Sequence, residues 1–465
     1  MKKLLFILSL VICSIANAQI SHIFNFSSAN GTNPYGGLTL SGNVLYGMTW
    51  EGGTQGDGVI FSYNTVSGVY KVLLNFADTN GANPRGSLTL SGNMLYGMTE
   101  EGGAHSRGLI FSIDTNGNNY KDMLDFNSTN GSTPWGSLTV SGSMIYGMTE
   151  GGGANDDGLI FSIRTDGTNY KDLFDFDGTD GQAPYGPLTL SGPLLFGMTY
   201  GCPGVICSQS YGNVFSIDTN GSRFKVLLNF NNGGSSATYG GYGHGALTIN
   251  GKVLYGMTYG GGANQLGILF SIDTNGTGYR DLLDFTTAKG TNPFGDLKLS
   301  GSELYGMTNS GGAHNEGVLF TIDTSGTGYD DLFDFNSIDG ASPYFGSVVL
   351  SGSSIYGVTS NGGANSDGVI FKYDSLTTGI SQIAKLNNQI SVYPDPAANN
   401  IMIDAGNLQS TTYNLRIYDV VGNLVLEKFL VEKRTNIDIS TLPSGVYIVE
   451  VWAGNRMDVT RFVKE

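Results

Sequence analysis

The sequence predicts an all-β chain: a seven-bladed β-propeller closed by its own N-terminal strand, followed by a small immunoglobulin-like β-sandwich. Three observations carry that expectation. The phrase Tyr-Gly-Met-Thr, or a close variant, begins at Tyr46, Tyr96, Tyr146, Phe196, Tyr255, Tyr305 and Tyr356, in steps of 50, 50, 50, 59, 50 and 51 residues. A period this regular marks an array of one supersecondary unit. Each unit reads as four short strands, and four antiparallel strands repeated seven times is the arithmetic of a propeller. Finally, the array opens on Ser21-His-Ile-Phe-Asn-Phe26, which matches the fourth strand of the repeat, and closes on Val369-Ile-Phe-Lys-Tyr-Asp374, which matches the third. The last unit therefore lacks an outer strand, which the N-terminal segment can supply, and closure removes the exposed edges of an open array.

The second copy illustrates the unit. Gly86-Ser-Leu-Thr-Leu-Ser91 alternates apolar and polar and ends in a Ser-Gly-Asn turn; Met94-Leu-Tyr-Gly-Met-Thr99 follows as a second strand. Leu109-Ile-Phe-Ser-Ile-Asp114 is a third strand, closed by Asp-Thr-Asn-Gly, and Tyr120-Lys-Asp-Met-Leu-Asp-Phe126 a fourth. Glycine, Asn, Asp or Pro stands at every boundary, and no helical periodicity competes. With the Gly86-type strand innermost, the longer Gly-Gly-x-x-x-x-Gly and Asn-x-x-Gly-x-x-Pro loops fall on one face and the short turns on the other. The constant Tyr and Met are expected in the core.

The first 18 residues read as a signal peptide: Lys2 and Lys3, an apolar run of about a dozen residues, and Ala16-Asn17-Ala18 before Gln19. No segment approaches the roughly 20 apolar residues of a membrane-spanning helix, so export across the inner membrane is expected and a transmembrane segment is not. With Cys13 removed, Cys202 and Cys207 are the cysteines that remain. With four residues between them, Pro203 and Gly204 included, they suit a disulfide better than half a metal site. The net charge of −16 with 13 % charged residues argues against nucleic acid, whose phosphates demand a basic footprint.

Leu-Tyr-Gly-Met-Thr, Gly-Gly-Ala-Asn-x-x-Gly-x-Ile-Phe-x-Ile-Asp and Gly-x-x-Pro-x-Gly-x-Leu resemble the Gly-rich tandem repeat named after Gloeobacter and Verrucomicrobia proteins, over about residues 20–375. The resemblance implies a secreted repeat protein and no established activity. That family usually has Thr where Met48, Met98 and their equivalents stand, which implies local repacking.

After Asp374 the repeat stops. The expected organisation is a signal peptide at 1–18, the propeller at 19–374, a linker at 375–389 and a β-sandwich at 390–465. The last part looks like the type-A C-terminal sorting domain of the type IX (Por) secretion system of Bacteroidota. The resemblance rests on Tyr393-Pro394-Asp-Pro396, Asp419 with Gly422, and Leu442-Pro443-Ser-Gly445-Val-Tyr447; Asp395 stands where Asn is usual. It implies export by that machinery and removal of the domain by a sortase-like peptidase. The cargo is then released or attached to surface lipopolysaccharide. The alternative is an Ig-like module that stays attached and binds a partner.

The catalytic inventory is thin. His22, His105, His244 and His314 fall in different copies without metal-ligand spacing, and His105 and His314 share a loop slot that reads as solvated. No Gly-x-Ser-x-Gly elbow or phosphate loop is present, and Asp-Thr-Asn-Gly lacks the later carboxylates of a calcium loop. Asp57, Asp157, Glu316 and Asp367 share one loop slot in different copies. No metal or cofactor is expected.

The informative variation follows the proline of the inter-blade loop, where successive copies place Tyr35, Arg85, Trp135, Tyr185, His244, Phe294 and Tyr344. In the strand order above this slot enters the innermost strand near the central channel. Two readings stand beside each other there: rings that plug gaps between blades, or a platform for sugars or other planar ligands. The 59-residue step, which holds Cys202, Cys207 and the stretch 231–244, enlarges loops on the same face and is where asymmetry predicts a specific site. The expected function is a secreted or surface propeller that binds an extracellular glycan or protein or serves as an adhesion scaffold, without enzymatic activity; rings buried between blades would leave the purely structural reading. A polysaccharide lyase or hydrolase is the alternative, favoured if acids or a Tyr/His/Arg cluster converge at the channel mouth. An exposed aromatic row without acids would favour binding.

Overall fold

The computed structural model describes residues 19–201, 211–230, 239–374, 390–404, 413–419, 424–430, 432–453 and 456–465. The expected signal peptide, the linker, Gly422, and Cys202 and Cys207 with their expected disulfide lie outside the described residues. The chain divides into two compact units, Met1–Ser375 and Leu376–Glu465.

Among the described residues the first unit contains seven four-stranded antiparallel sheets. In the second of them the strands are Thr89–Ser91, Met94–Thr99, Leu109–Asp114 and Lys121–Asp125, here strands a to d, paired in that order. The seventh sheet takes its strand d from the N-terminus: Gln19–Asn25 pairs antiparallel with Val369–Asp374.

The glycine of Tyr-Gly-Met-Thr has a packing reason. Gly97 on strand b lies opposite Phe111 on strand c, and a Cβ there would stand 2.5 Å from the Phe111 ring. The same Gly–Phe pair recurs in every sheet, from Gly47 with Phe61 to Gly357 with Phe371. The motif's threonine is fully buried; in the first sheet Thr49 Oγ1 donates to the Glu51 carbonyl at 2.9 Å and accepts the Val59 N–H at 3.1 Å. It thereby satisfies two backbone groups where strands b and c diverge.

Side chains on strand b alternate between neighbours. Leu45 joins a core cluster shared with the seventh sheet, whereas Tyr46 and Met48 join one shared with the second. Seven such clusters link consecutive sheets, and the last one links the seventh sheet to the first through Tyr356, Val358 and Leu38. The motif's aromatic and Met positions are buried, as expected, apart from half-buried Tyr305.

Strand a is shorter than the sequence predicts, three residues rather than six. The reason is crowding where the sheets meet. A Cβ on Gly36 would lie 2.3 Å from the Gly86 carbonyl oxygen, and one on Gly86 2.3 Å from that of Gly136. Polar groups here bond to the next sheet instead of to strand b: Gly37 N–H donates to Ser87 Oγ and Ser87 N–H to Ser137 Oγ, both at 2.7 Å. The Thr89 hydroxyl donates to the Leu138 carbonyl. The ladder with strand b begins only at Thr89.

The second unit holds a three-stranded sheet (Ser391–Tyr393, Asn400–Asp404, Arg434–Asp438) and a four-stranded one (Leu424–Leu430, Tyr413–Asp419, Gly445–Ala453, Arg456–Lys464). They enclose one core that includes Ile401, Ile403, Leu415, Ile417, Val449 and Phe462. The sequence motifs have local roles in it. Asp395 Oδ1 accepts the Val463 N–H at 2.7 Å, with an oxygen that Asn also carries, which explains why Asp serves in its place. Tyr447 is buried, stacks on Phe462 at 5.4 Å and donates to the Pro443 carbonyl at 2.8 Å; Tyr393 is exposed.

Adding a methyl group at the crowded junction should be felt. Gly86→Ala is expected to cost about 1–3 kcal/mol by overpacking, read as a lower denaturant midpoint with an unchanged m-value.

Candidate functional site: two seven-membered rings on the long-loop face

One residue per sheet organises the long-loop face. Asn33, Asn83, Thr133, Ala183, Tyr242, Asn292 and Ser342 all have left-handed backbone, with φ between 48° and 63°. Each stands two residues before the variable slot. Its N–H donates to a carbonyl in the b–c loop of the preceding sheet, as from Asn83 to Asp57 at 2.9 Å and from Asn33 to Asp367 at 3.0 Å. Its carbonyl accepts the N–H of the residue that follows the constant threonine, as from Trp50 to Asn33 at 3.1 Å and from Tyr200 to Ala183 at 3.1 Å. Two sets of seven side chains are therefore held from one backbone anchor.

The first set is the slot singled out in the sequence, and the structure brings all seven members together. Around the circuit, Tyr35 and Tyr344 have ring centroids 5.0 Å apart, and the Arg85 guanidinium carbon lies 5.5 Å from Tyr35 and 4.0 Å from Trp135. Trp135 to Tyr185 is 4.4 Å, Tyr185 to His244 4.8 Å, His244 to Phe294 4.6 Å and Phe294 to Tyr344 4.5 Å. His244 and Phe294 are buried and the other five half-buried. Their flat faces are largely spent on one another, so what the set presents is ring edges and polar tips.

The second set was missed in the sequence: Trp50, Glu100, Glu150, Tyr200, Tyr259, Asn309 and Ser360. The signal was present, because a variable residue directly follows an otherwise constant Tyr-Gly-Met-Thr. These side chains surround the first set. Arg85 Nε donates to Glu100 Oε2 at 2.5 Å, and Trp50 Nε1 donates to the same oxygen at 3.3 Å. Tyr185 donates to Glu150 Oε1 at 3.0 Å. Tyr200 meets both Tyr185 and His244, at 4.9 and 4.6 Å, and Tyr259 lies 4.7 Å from Phe294. Burial raises the Glu150 carboxyl above its usual range, partly offset by the Tyr185 hydrogen bond and by Arg85. Burial pushes His244 down to about 3, so its imidazole is neutral at physiological pH.

One inserted residue fills the middle. The last step of the repeat is 51 residues rather than 50 because Phe345 follows Tyr344. Its ring meets Tyr35, Trp135, His244, Phe294 and Tyr344 at 4.5–6.2 Å, and its N–H donates to the Tyr35 carbonyl at 3.1 Å. A cavity of about 20 Å³, room for one water molecule, is lined by Phe345, Arg85, Trp135 and His244. Among the described residues eight buried side-chain polar atoms lack a hydrogen-bond partner, and four of them belong to these two sets: Trp135 Nε1, His244 Nδ1, Asn309 Oδ1 and Ser360 Oγ. Such atoms are costly unless water or a ligand reaches them.

The other sequence candidates do not converge. His105 and His314 are exposed in separate loops, and His22 pairs with Asp339 at 3.6 Å. The slot of Asp57, Asp157, Glu316 and Asp367 supplies the backbone carbonyls that the left-handed anchors bond, sheet by sheet. Asp114 of Asp-Thr-Asn-Gly closes a turn, its Oδ1 accepting the Asn116 and Asn118 N–H groups at 2.9 Å. Of the 59-residue step, residues 202–210 and 231–238 lie outside the described residues; among those described, Tyr242 meets Tyr200 at 4.9 Å and Tyr211 at 5.5 Å.

A carboxylate pair unremarked in the sequence recurs on strand d of four sheets: Asp122 with Asp125, Asp172 with Asp175, Asp281 with Asp284, and Asp331 with Asp334. The second member is structural, accepting a loop N–H at 2.5–2.8 Å, as Asn75 does in the first sheet at 2.9 Å. Desolvation, then the neighbouring charge, pushes the first member up to about 6 in each pair.

Comparison with known families places this architecture. Residues 10–204, 67–244 and 203–421 match the Gloeobacter/Verrucomicrobia repeat in three overlapping segments. The chain belongs to the Gloeobacter/Verrucomicrobia repeat family. Residues 391–465 of this repeat protein match a secretion system C-terminal sorting domain, which marks it for type IX export to the cell surface. No curated protein matches it in sequence. Among solved structures it is similar to the extracellular domain of the putative one component system BT4673 from B. thetaiotaomicron, at 11 % identity and a TM-score of 0.48, over 96 % of this chain and 60 % of that one. The repeat protein thus spans about 60 % of that relative's length. It is also similar to PorZ, a surface component of the type IX secretion system of Porphyromonas gingivalis, at 13 % identity and a TM-score of 0.24, over 92 % and 75 % of the two chains. A third similarity is to polysaccharide lyase Uly1, at 9 % identity and a TM-score of 0.46, over 76 % and 91 %. At these scores none of the three bears on what the repeat protein does.

Two outcomes follow from the geometry of this face. Alanine at a left-handed position is strained, and three copies use Asn there, so Ala183→Asn is expected to stabilise the repeat protein by about 0.5–1 kcal/mol, measured by denaturant titration. The four raised carboxyls, ordinarily near 3.8, hold protons more tightly folded than unfolded. Their contribution is full below pH 4 and is lost as pH rises through about 6. The melting temperature should therefore fall between pH 5 and pH 7, and replacing Asp122, Asp172, Asp281 and Asp331 by Asn should flatten that slope.

Proposed function

We propose that residues 19–374 form a closed seven-bladed β-propeller that is carried outside the cell and binds an extracellular glycan on its long-loop face. The seventh sheet completed by the N-terminal strand and the core cluster shared by the seventh and first sheets support closure. In this reading residues 1–18 are removed on export, Cys202 and Cys207 form a disulfide, and residues 390–465 engage the type IX machinery. A sortase-like peptidase then removes the sorting domain, leaving the propeller released or held at surface lipopolysaccharide.

The observation that carries the binding reading is the convergence of Arg85, Glu100, Glu150, Tyr185 and Tyr200 around the aromatic circuit. Seven different repeats contribute a variable residue to the circuit at this one place. Carboxylates and a guanidinium held among aromatic rings are the groups that orient sugar hydroxyls. A protein ligand on the same face is the other binding outcome.

The same cluster favours a second reading, a polysaccharide lyase or hydrolase, because two carboxylates, a tyrosine and an arginine meet. Binding is preferred for two reasons. Glu100 is already engaged by Arg85 at 2.5 Å, and the cavity at the centre of the cluster holds about 20 Å³, far below the few hundred Å³ of a substrate pocket.

A glycan array and a polysaccharide-degradation screen on the chain from residue 19 test the proposal. Retention without products is expected. New reducing ends or unsaturated products would replace binding with the enzymatic reading. Trp135→Ala should abolish retention; a variant that melts lower yet is still retained would reduce the ring to packing.

A further inference from the structure

We propose that the long-loop face takes an uncharged carbohydrate and turns acidic polysaccharides away; the inference rests on the glycan-binding reading above. Among the described residues, the loops that follow strands b and d carry fourteen carboxylates against three cations, Arg85, Arg107 and Lys289. Ten of those carboxylates lie between residues 51 and 180, whereas the described residues of the loops from 199 to 267 include no Asp, Glu, Lys or Arg and carry five tyrosines. The face is thus an acidic arc beside a neutral aromatic arc, and its field repels anions.

Within the two sets of seven, Arg85 is the one cation. Its Nε is bound to Glu100 at 2.5 Å, its guanidinium lies on Trp135 at 4.0 Å, and Glu150 is near enough to feel its charge. Within the two sets, the charge of Arg85 is therefore offset by Glu100 and Glu150, and the other two cations of the face, Arg107 and Lys289, stand outside them. A cationic glycan would find the acids, yet the ring faces that attract cations are turned against neighbouring rings at 4.4–5.0 Å, stacked between Tyr185 and His244 and between Phe294 and Tyr344 and tilted or edge-on in the other pairs.

The unsatisfied hydrogen-bonding capacity points the same way. Ser360 and His244 are 1 % and 6 % exposed, and Ser360 Oγ and His244 Nδ1 have no partner. With Trp135 Nε1 and Asn309 Oδ1 they make a set that needs both donors and acceptors. A hydroxyl does both, whereas an anion only accepts. Trp135 and His244 line the cavity with room for one water that Phe345 also lines, so a water held there can bridge them to a ligand hydroxyl.

Affinity electrophoresis of the chain from residue 19 tests this, in gels containing neutral β-glucan, xylan or mannan, acidic alginate or polygalacturonate, or cationic chitosan. The expected result is retardation by at least one neutral polymer, insensitive to salt, and none by the acidic ones; any retardation by chitosan should disappear with salt, since only the acidic arc attracts it. Glu150→Gln and, separately, Tyr200→Ala should each weaken it by about tenfold, the effect of losing one strong hydrogen bond or ring contact; melting curves confirm that the variants are folded. Folded variants that both bind as tightly as the parent would overturn the assignment of the site. Salt-sensitive retardation by an acidic polymer, or retardation by chitosan alone, overturns the selectivity and leaves glycan binding standing. No retardation in any gel overturns glycan binding and the selectivity together.

Discussion

The face described here depends on a backbone residue held in the left-handed region once per repeat. Its N–H reaches back to the previous sheet and its carbonyl reaches across to the end of strand b in its own. Those two hydrogen bonds tie three chain segments together at every junction, and they do so without using a side chain. The side-chain identity is then free to vary, and it does: Asn, Thr, Ala, Tyr and Ser all occupy the anchor. The strain of left-handed backbone at non-glycine residues is tolerated because both of its polar groups are satisfied and its neighbours are fixed. From each anchor one side chain is placed toward the centre, two residues on, and another is placed around it.

This arrangement separates what repeats from what differs. Gly97 and Phe111, the buried threonine and the Met–Tyr face do the same work in each sheet, so each copy is constrained alike. The two variable positions pack chiefly against each other and Phe345. They assemble a surface with an Arg–Glu pair on one side and tyrosines on the other, an asymmetry that a strictly periodic chain cannot make. The single inserted residue, Phe345, has a similar origin: seven equal contributions leave a gap at the centre, and one extra ring from one repeat occupies it.

The architecture was legible in the sequence because its causes are local. A tight turn, a two-residue alternation and a glycine opposite a phenylalanine are set within one repeat, and the period copies them. The four strands, their order and the N-terminal strand in the last sheet all follow from that. So does the second unit, whose motifs are read within a few dozen residues. The first variable slot was visible because a constant proline flags it in six copies.

The length of strand a, the second variable set and the role of Phe345 were not visible, and the physical reason is common to them. Each is decided by contacts that no single strand or turn contains, most of them between residues about 50 positions or more apart, such as Gly86 against Gly136, Arg85 against Trp135, or Phe345 against His244. The amino-acid sequence by itself determined the repeated unit, its number and the route of export. Only the tertiary structure decided which side chains meet at the centre, because that depends on how closely the sheets approach where they converge.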